Sequence, residues 1–153
     1  MSDVIDLIER DHREVEELFA KFNATGEVAL AAAICDRLEC HALAEEVALA
    51  PVVAAEVPNG RQMAGEDEDE HTEVLRLVAR IRETPGPCDE LARLVLELEL
   101  LVEEHVDAEE TEVLPQVRAV LDPAHLVAMG REFEDAKHSS VPHPAPARRN
   151  GWG

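Results

Sequence analysis

The chain has 153 residues, enough for one domain with a buried core. Its formal net charge of -20 repels phosphate, so neither nucleic acid nor an anionic membrane surface is expected as a partner. Hydrophobic residues make up 46% but aromatics only 3%, the apolar positions are mostly Ala, Val and Leu, and long stretches are good helix formers, which together predict an all-α protein.

The first predicted helix runs from about Asp3 to Phe22 with Ser2 as N-cap, and its inner seam reads Ile5, Ile8, His12, Val15, Phe19, Phe22. "NATGE" at 23–27 breaks it. A second helix follows from about Val28 to Ala55 with the seam Ile34, Leu38, His41, Glu45, Ala48, Val52, and Pro51 should kink or end it. "VPNG" at 57–60 is a turn signal. The third helix is expected from near Gly65 to about Arg82, with the acid run "EDEDE" in its first turn and the seam Asp67, His71, Val74, Val78, Ile81. After the loop "TPGPCD", a fourth helix runs from about Glu90 to Leu121 with the seam Leu91, Leu94, Leu98, Leu101, His105, Glu109, Glu112. "DPAH" at 122–125 reads as an N-cap with Pro at N1, opening a short fifth helix with Leu126, Met129 and Phe133 on one side. The expected organisation is an antiparallel up-down-up-down four-helix bundle over residues 1–121, a C-terminal helix packed on or beside it over 122–137, and a mobile Pro-rich tail over 138–153.

Three cysteines with no CxxC argue against a disulfide framework and fit a reducing cytoplasm. The opening residues carry acids and no apolar core of a signal peptide, and no apolar run is long enough to span a bilayer, so a cytoplasmic monomer or weak homodimer is expected. The absence of Tyr excludes any mechanism needing a Tyr ligand or radical from this chain.

A bundle seam should be apolar, yet His12, His41, Glu45, His71, His105 and Glu109 all fall on inward stripes, where an unpaired carboxylate costs several kcal/mol. A lone seam His is ordinarily a satisfied core residue, and a lone HxxxE in an acidic chain is ordinarily a surface pair. Two aligned copies, "HALAEEVALAP" at 41–51 and "HVDAEETEVLP" at 105–115, need a joint explanation. Residues i and i+4 lie on one helix face, so His41 with Glu45 and His105 with Glu109 can each present a nitrogen and an oxygen to one region, with His12 and His71 completing the set. Six ligands exceed one four-coordinate zinc and suit two metal ions bridged by carboxylates, and a donor set without thiolate favours iron, then manganese. Glu46 and Glu110 are expected to flank the ligands, and His125, His138 and His143 are read as ordinary. Ferritin-type Glu-x-x-His strings occur at Glu9–His12 and Glu68–His71, but their glutamates fall off the seam and on the wrong helices.

The series His12, His41-x-x-x-Glu45, His71, His105-x-x-x-Glu109 resembles the hemerythrin-like, or HHE cation-binding, domain over about residues 3–120. That resemblance implies a four-helix bundle holding two iron ions in an oxo- or hydroxo-bridged di-iron centre. Glu45 and Glu109 would bridge, His12 and His41 would cap one iron, and His71 and His105 the other. It implies a small diatomic or peroxide ligand, hence dioxygen or iron binding or sensing, with a catalase-like peroxide or nitric oxide scavenging enzyme as the alternative. A helical interaction module with structural zinc or no metal is the further alternative. Oxygen-carrying hemerythrins have a second His on the third helix one turn from the first, whereas this chain has Leu75 and Asp67 there. Either Asp67 supplies an oxygen or the position stays open to water, and both changes favour peroxide turnover over reversible oxygen carriage.

Overall fold

The computed structural model describes residues 2–139, and every regular element among them is helical. The elements are α1 (Val4–Thr25), α2 (Val28–Ala48), α3 (Ala50–Glu56), α4 (Gly60–Arg82) and α5 (Asp89–Ala108), then a π-helical turn (Glu109–Val113), α6 (Leu114–Val120) and α7 (Pro123–Ser139). α1 packs on α2, α2 on α4, α4 on α5 and α5 on α1, while α3 lies against α4, and α7 lies along α1 and α2. The expected tail from 138 falls outside the described residues except for His138 and Ser139, which are the last of α7.

Local chemistry sets the ends of these helices. Asp3, not Ser2, is the N-cap of α1: its side chain accepts from the Asp6 backbone N–H, and the Asp6 side chain accepts from the Asp3 N–H in a capping box. Gly26 closes α1 in the left-handed region at φ 69°, where a residue without Cβ is favoured. Asp122 accepts from the His125 N–H at 2.9 Å, as the "DPAH" pattern predicts. α4 begins at Gly60 rather than Gly65, so the acid run 66–70 lies a turn and more inside the helix and does not serve its dipole. The earlier start is possible because Gly60 has no Cβ; one would sit 1.7 Å from the Val53 carbonyl oxygen of α3.

Each proline of the duplicated motif interrupts its helix, in different ways. Without an N–H, and with a ring that crowds the carbonyl four residues back, a proline cannot continue an α-helix unchanged. Before Pro51 the chain breaks at Leu49, splitting the single helix expected over 28–55 into α2 and α3. Before Pro115 the chain widens into the π turn. That turn ends the predicted seam: Glu112 is exposed, and Leu114 and Val117 point inward instead.

Two apolar clusters fill the interior. Val15, Phe19 and Phe22 of α1 meet Ile34 and Leu38 of α2, Val74, Val78 and Ile81 of α4, and Leu91, Leu94 and Leu98 of α5. The second joins Val4, Leu7 and Ile8 of α1 with Ala44 and Ala48 of α2, Leu114 and Val117 of α6, and Leu126, Met129 and Phe133 of α7. The fifth helix, expected to be short, spans 17 residues and covers a second buried stripe of α1. Gly130 lets it approach closely, since a Cβ there would lie 3.2 Å from the Ser2 carbonyl oxygen. Between the two clusters lies a layer that is not apolar.

Candidate metal centre

The polar layer consists of the six residues singled out by the seams. His12 follows Ile8 and precedes Val15, His41 stands between Leu38 and Ala44, and His105 follows Val102, so each helix passes from one apolar cluster to the other through this layer. All six are buried, with Glu45 0% and Glu109 1% exposed. The i,i+4 spacing sets His41 Nε2 3.1 Å from Glu45 Oε2 and His105 Nε2 3.6 Å from Glu109 Oε2.

The two glutamates are each divided between two histidine pairs. Glu45 directs Oε2 to His41 and Oε1 to His71, at 3.0 Å. Glu109 directs Oε1 to His12, at 3.0 Å, and Oε2 to His105. Within each pair the rings meet edge-on with centroids 5.1 Å apart, both for His12 with His41 and for His71 with His105. Donor atoms of His12, His41, Glu45 and Glu109 all lie within 4.8 Å of one another, and so do those of Glu45, Asp67, His71 and His105. Asp67 thus joins the second group, its Oδ2 3.5 Å from His71 Nε2.

The outer ring nitrogens explain the doubled glutamates of the motif. His12 Nδ1 donates to Glu110 at 2.7 Å, His41 Nδ1 to Asp11 at 2.8 Å and His105 Nδ1 to Glu70 at 2.6 Å, while His71 Nδ1 faces Glu46 at 3.7 Å. Glu110, the second Glu of its HxxxEE, therefore serves the lone His12 of α1, while Glu46 faces the lone His71 beyond hydrogen-bond distance. The acid preceding each lone His, Asp11 or Glu70, serves the His of the next HxxxEE helix. A carboxylate on Nδ1 fixes the tautomer and turns the Nε2 lone pair inward. Glu46 and Glu110 were expected as flanking groups; Asp11 and Glu70 were missed. Asp11 continues the second buried stripe Val4, Leu7, Asp11, whose three- and four-residue spacing is a readable signal. Glu70 sits in an acid run in which the seam spacing singles out only Asp67. From α7, Lys137 Nζ donates to Asp11 at 2.6 Å, and the Phe133 ring packs edge-on to His41 at 5.7 Å.

Burial and close charges shift the acids and imidazoles of the layer in both directions. Burial opposes charge on His41, but the Glu45 charge and the Asp11 hydrogen bond outweigh it and push the imidazole up to about 10. His105, buried likewise, is pushed up to about 9 through Glu45, Asp67 and Glu70. His12 goes the other way, lowered by burial and by the positive charge of His41 beside it. Burial and the Glu45 charge push Glu109 well above the usual carboxylate range and Asp67 up to about 6. Glu45, against its burial, is held well below that range by the positive charge of His41 and by the nearness of Glu109 and His105. The opposite shifts of Glu45 and Glu109 are those of two facing buried carboxylates, whose mutual repulsion disfavours ionising both.

Protons do not satisfy the layer fully. His12 Nε2, His41 Nε2, His71 Nδ1, His105 Nε2, Glu45 Oε2 and both Glu109 oxygens are buried with no hydrogen-bond partner among the described residues. Each such atom costs about 1–3 kcal/mol. Cations between the Nε2 atoms and the glutamate oxygens would satisfy six of the seven, and nitrogen and oxygen donors without sulfur fit a borderline or hard divalent ion. The donor set therefore fits a metal ion.

Two cavities flank the layer. One, of about 30 Å³, lies among Val15, Leu38, Val74, Val102 and the four histidines. The other, of about 540 Å³, opens to solvent and reaches Asp67, His105 and Glu109. No helix among the described residues is long and apolar enough to cross a membrane. The family model of the hemerythrin HHE cation binding domain matches residues 3–117. Comparison with curated proteins and with solved structures gave no match.

Proposed function

The chain belongs to the hemerythrin HHE cation-binding domain family, and from that premise we propose that it is a non-haem di-iron protein whose carboxylate-bridged centre binds or reacts with dioxygen, peroxide or nitric oxide. One observation carries the reading: Glu45 and Glu109 each turn one oxygen to either histidine pair. His12 and His41 would hold one ion, and His71 and His105 the other, with both glutamates between them. The sharing of one apolar cluster by late α1, early α2, late α4 and early α5 supports the up-down-up-down bundle, over residues 1–121, that this arrangement requires.

Two bound irons would supply paired one-electron changes and a coordination position for a small oxidant. The chain's own part is to orient and to exclude. Asp11, Glu70 and Glu110 hold the imidazoles in one tautomer. Val15, Leu38, Val74 and Val102 keep one face dry, leaving space there for a molecule of about one water's volume. That size supports a diatomic or peroxide ligand. The proposal extends to a cytoplasmic monomer or weak homodimer with no nucleic-acid or membrane partner, in keeping with the net charge of -20.

A second reading, a catalase-like scavenger of peroxide or nitric oxide, is favoured by Asp67, which stands where oxygen carriers have an imidazole and where solvent reaches the layer. The decisive measurement is metal quantitation with an optical spectrum of the protein as isolated. Two irons per chain with the bands of a bridged diferric pair support the di-iron reading; zinc, or no metal and unchanged stability in chelator, refutes it. On the same sample, a reversible change on deoxygenation selects the carrier. Oxygen release from peroxide that is lost in His105→Ala selects the enzyme.

A further inference from the structure

The two histidine pairs are alike in geometry but not in surroundings. At His12 and His41, each outer carboxylate carries its own cation: Arg13 Nη2 lies 2.7 Å from Glu110, and Lys137 Nζ 2.6 Å from Asp11. At His71 and His105, the outer acids are Glu46 and Glu70, Asp67 adds a third, and no Lys or Arg pairs with any of them among the described residues. The first position is close to charge-balanced and the second strongly negative.

Access divides the same way. Asp67 is 17% exposed on its side chain, against 0% and 1% for Glu45 and Glu109. It stands on the wall of the solvent-open cavity of about 540 Å³, which Glu66, Glu70 and Met63 also line and which ends on His105 and Glu109. There it meets atoms that point to a ligand: His105 Nε2 and both Glu109 oxygens are buried and without hydrogen-bond partners. The His12–His41 pair does not line that cavity, and the Phe133 ring of α7 packs edge-on against His41.

We infer that Asp67 is a metal ligand and that the position it forms with His71 and His105 is the entry port of the centre, filled first and more tightly than the His12–His41 position. This rests on the two-metal reading above. A divalent cation approaching from solvent meets uncompensated carboxylates only on that side, and a hard carboxylate oxygen suits manganese(II) or iron(II). The cations paired to Asp11 and Glu110 weaken the field at the other position and leave it to fill second.

The test is a manganese(II) titration of the metal-free full chain, with free manganese read by electron paramagnetic resonance and bound metal counted after desalting. Wild type should take up two ions, the first roughly tenfold or more tighter than the second. Asp67→Asn should lose the tighter event, and Lys137→Met should keep it and strengthen only the later one. An Asp67→Asn protein that titrates like wild type, or a Lys137→Met protein that loses the tighter event, overturns the inference while leaving two-metal binding intact. Wild type that takes up neither manganese nor iron refutes the two-metal reading and this inference together. If circular dichroism finds Asp67→Asn unfolded, anomalous diffraction from wild-type crystals loaded with one equivalent decides. Density beside Asp67 is expected, and density between His12 and His41 overturns the assignment.

Discussion

Asp11→Asn isolates the support given to His41 with almost no change in size. Asp11 is buried and accepts from His41 Nδ1 at 2.8 Å and from Lys137 Nζ at 2.6 Å. The amide can still accept from His41, but it carries no charge and turns an NH2 toward the lysine. A hydrogen bond to a charged group contributes about 1.5–3 kcal/mol, and the variant weakens two. Removal of an outer carboxylate from a ligating histidine typically costs 10- to 100-fold in metal affinity, about 1.4–2.7 kcal/mol. The charge behind His41 is lost, so the ion at His12 and His41 should bind about 10- to 100-fold more weakly, with the ion at His71 and His105 little changed. Chelator competition with metal counting on wild type and variant reads both constants. Unchanged affinity at both positions, or weakening confined to the Asp67 side, would show that Asp11 does not hold His41 for a metal.

Metal-free protein should lose stability as pH rises from 6.5 to 10. His41 and His105 are raised from 6.5 to about 10 and about 9, so the stability they add is complete below pH 6.5 and disappears as pH climbs through 9 to 10. Melting curves across that range check this, and calorimetry in buffers of different ionisation enthalpy should detect protons released on metal loading. Phe133→Ala removes a fully buried ring that holds α7 to the bundle and should cost about 3–5 kcal/mol in urea unfolding. A cost within about 1 kcal/mol would mean that α7 is not part of the cooperative unit. Gly60→Ala forces a methyl against the Val53 carbonyl and should cost about 1–3 kcal/mol in the same assay. Native alkylation should modify exposed Cys88 and spare Cys35, whose thiol is buried and pushed up to about 11.

The helical seams and the six inward donors could be read from sequence because three- and four-residue spacing survives in any packed helix. The spacing shows which residues share a face, so His12, His41 and His105 fall between apolar neighbours without any coordinates. It says less about what lies outside that face. The second buried stripe of α1 exists because α7 packs there, and its spacing on α1 does not say which element, more than a hundred residues away, covers it. Lys137 could not be tied to Asp11 for the same reason. The start of α4 was missed because Gly and Pro at 57–60 read as a turn, whereas Gly60 opens a helix through a close approach to α3 that only tertiary packing defines. Among the acids at 66–70, Asp67 was recognised by its spacing from His71, and Glu70, which faces His105 rather than its own neighbour, was not.

The π turn at 109–113 acts as a frameshift in the helical reading frame. One residue more per turn rotates everything downstream by about 100°. The residues after Glu109 therefore obey a different phase from those before it: Leu114 and Val117 inherit the core that Glu112 and Gln116 would have entered. The break at Leu49 makes the matching correction in the twin motif, turning Val53 inward where Val52 was due. Both resets fall just after a central glutamate and just before a proline. The carboxylate is thus the last word of one frame, and in the 105–115 copy the core closes beneath the polar layer without aiming a second acid, Glu112, into it.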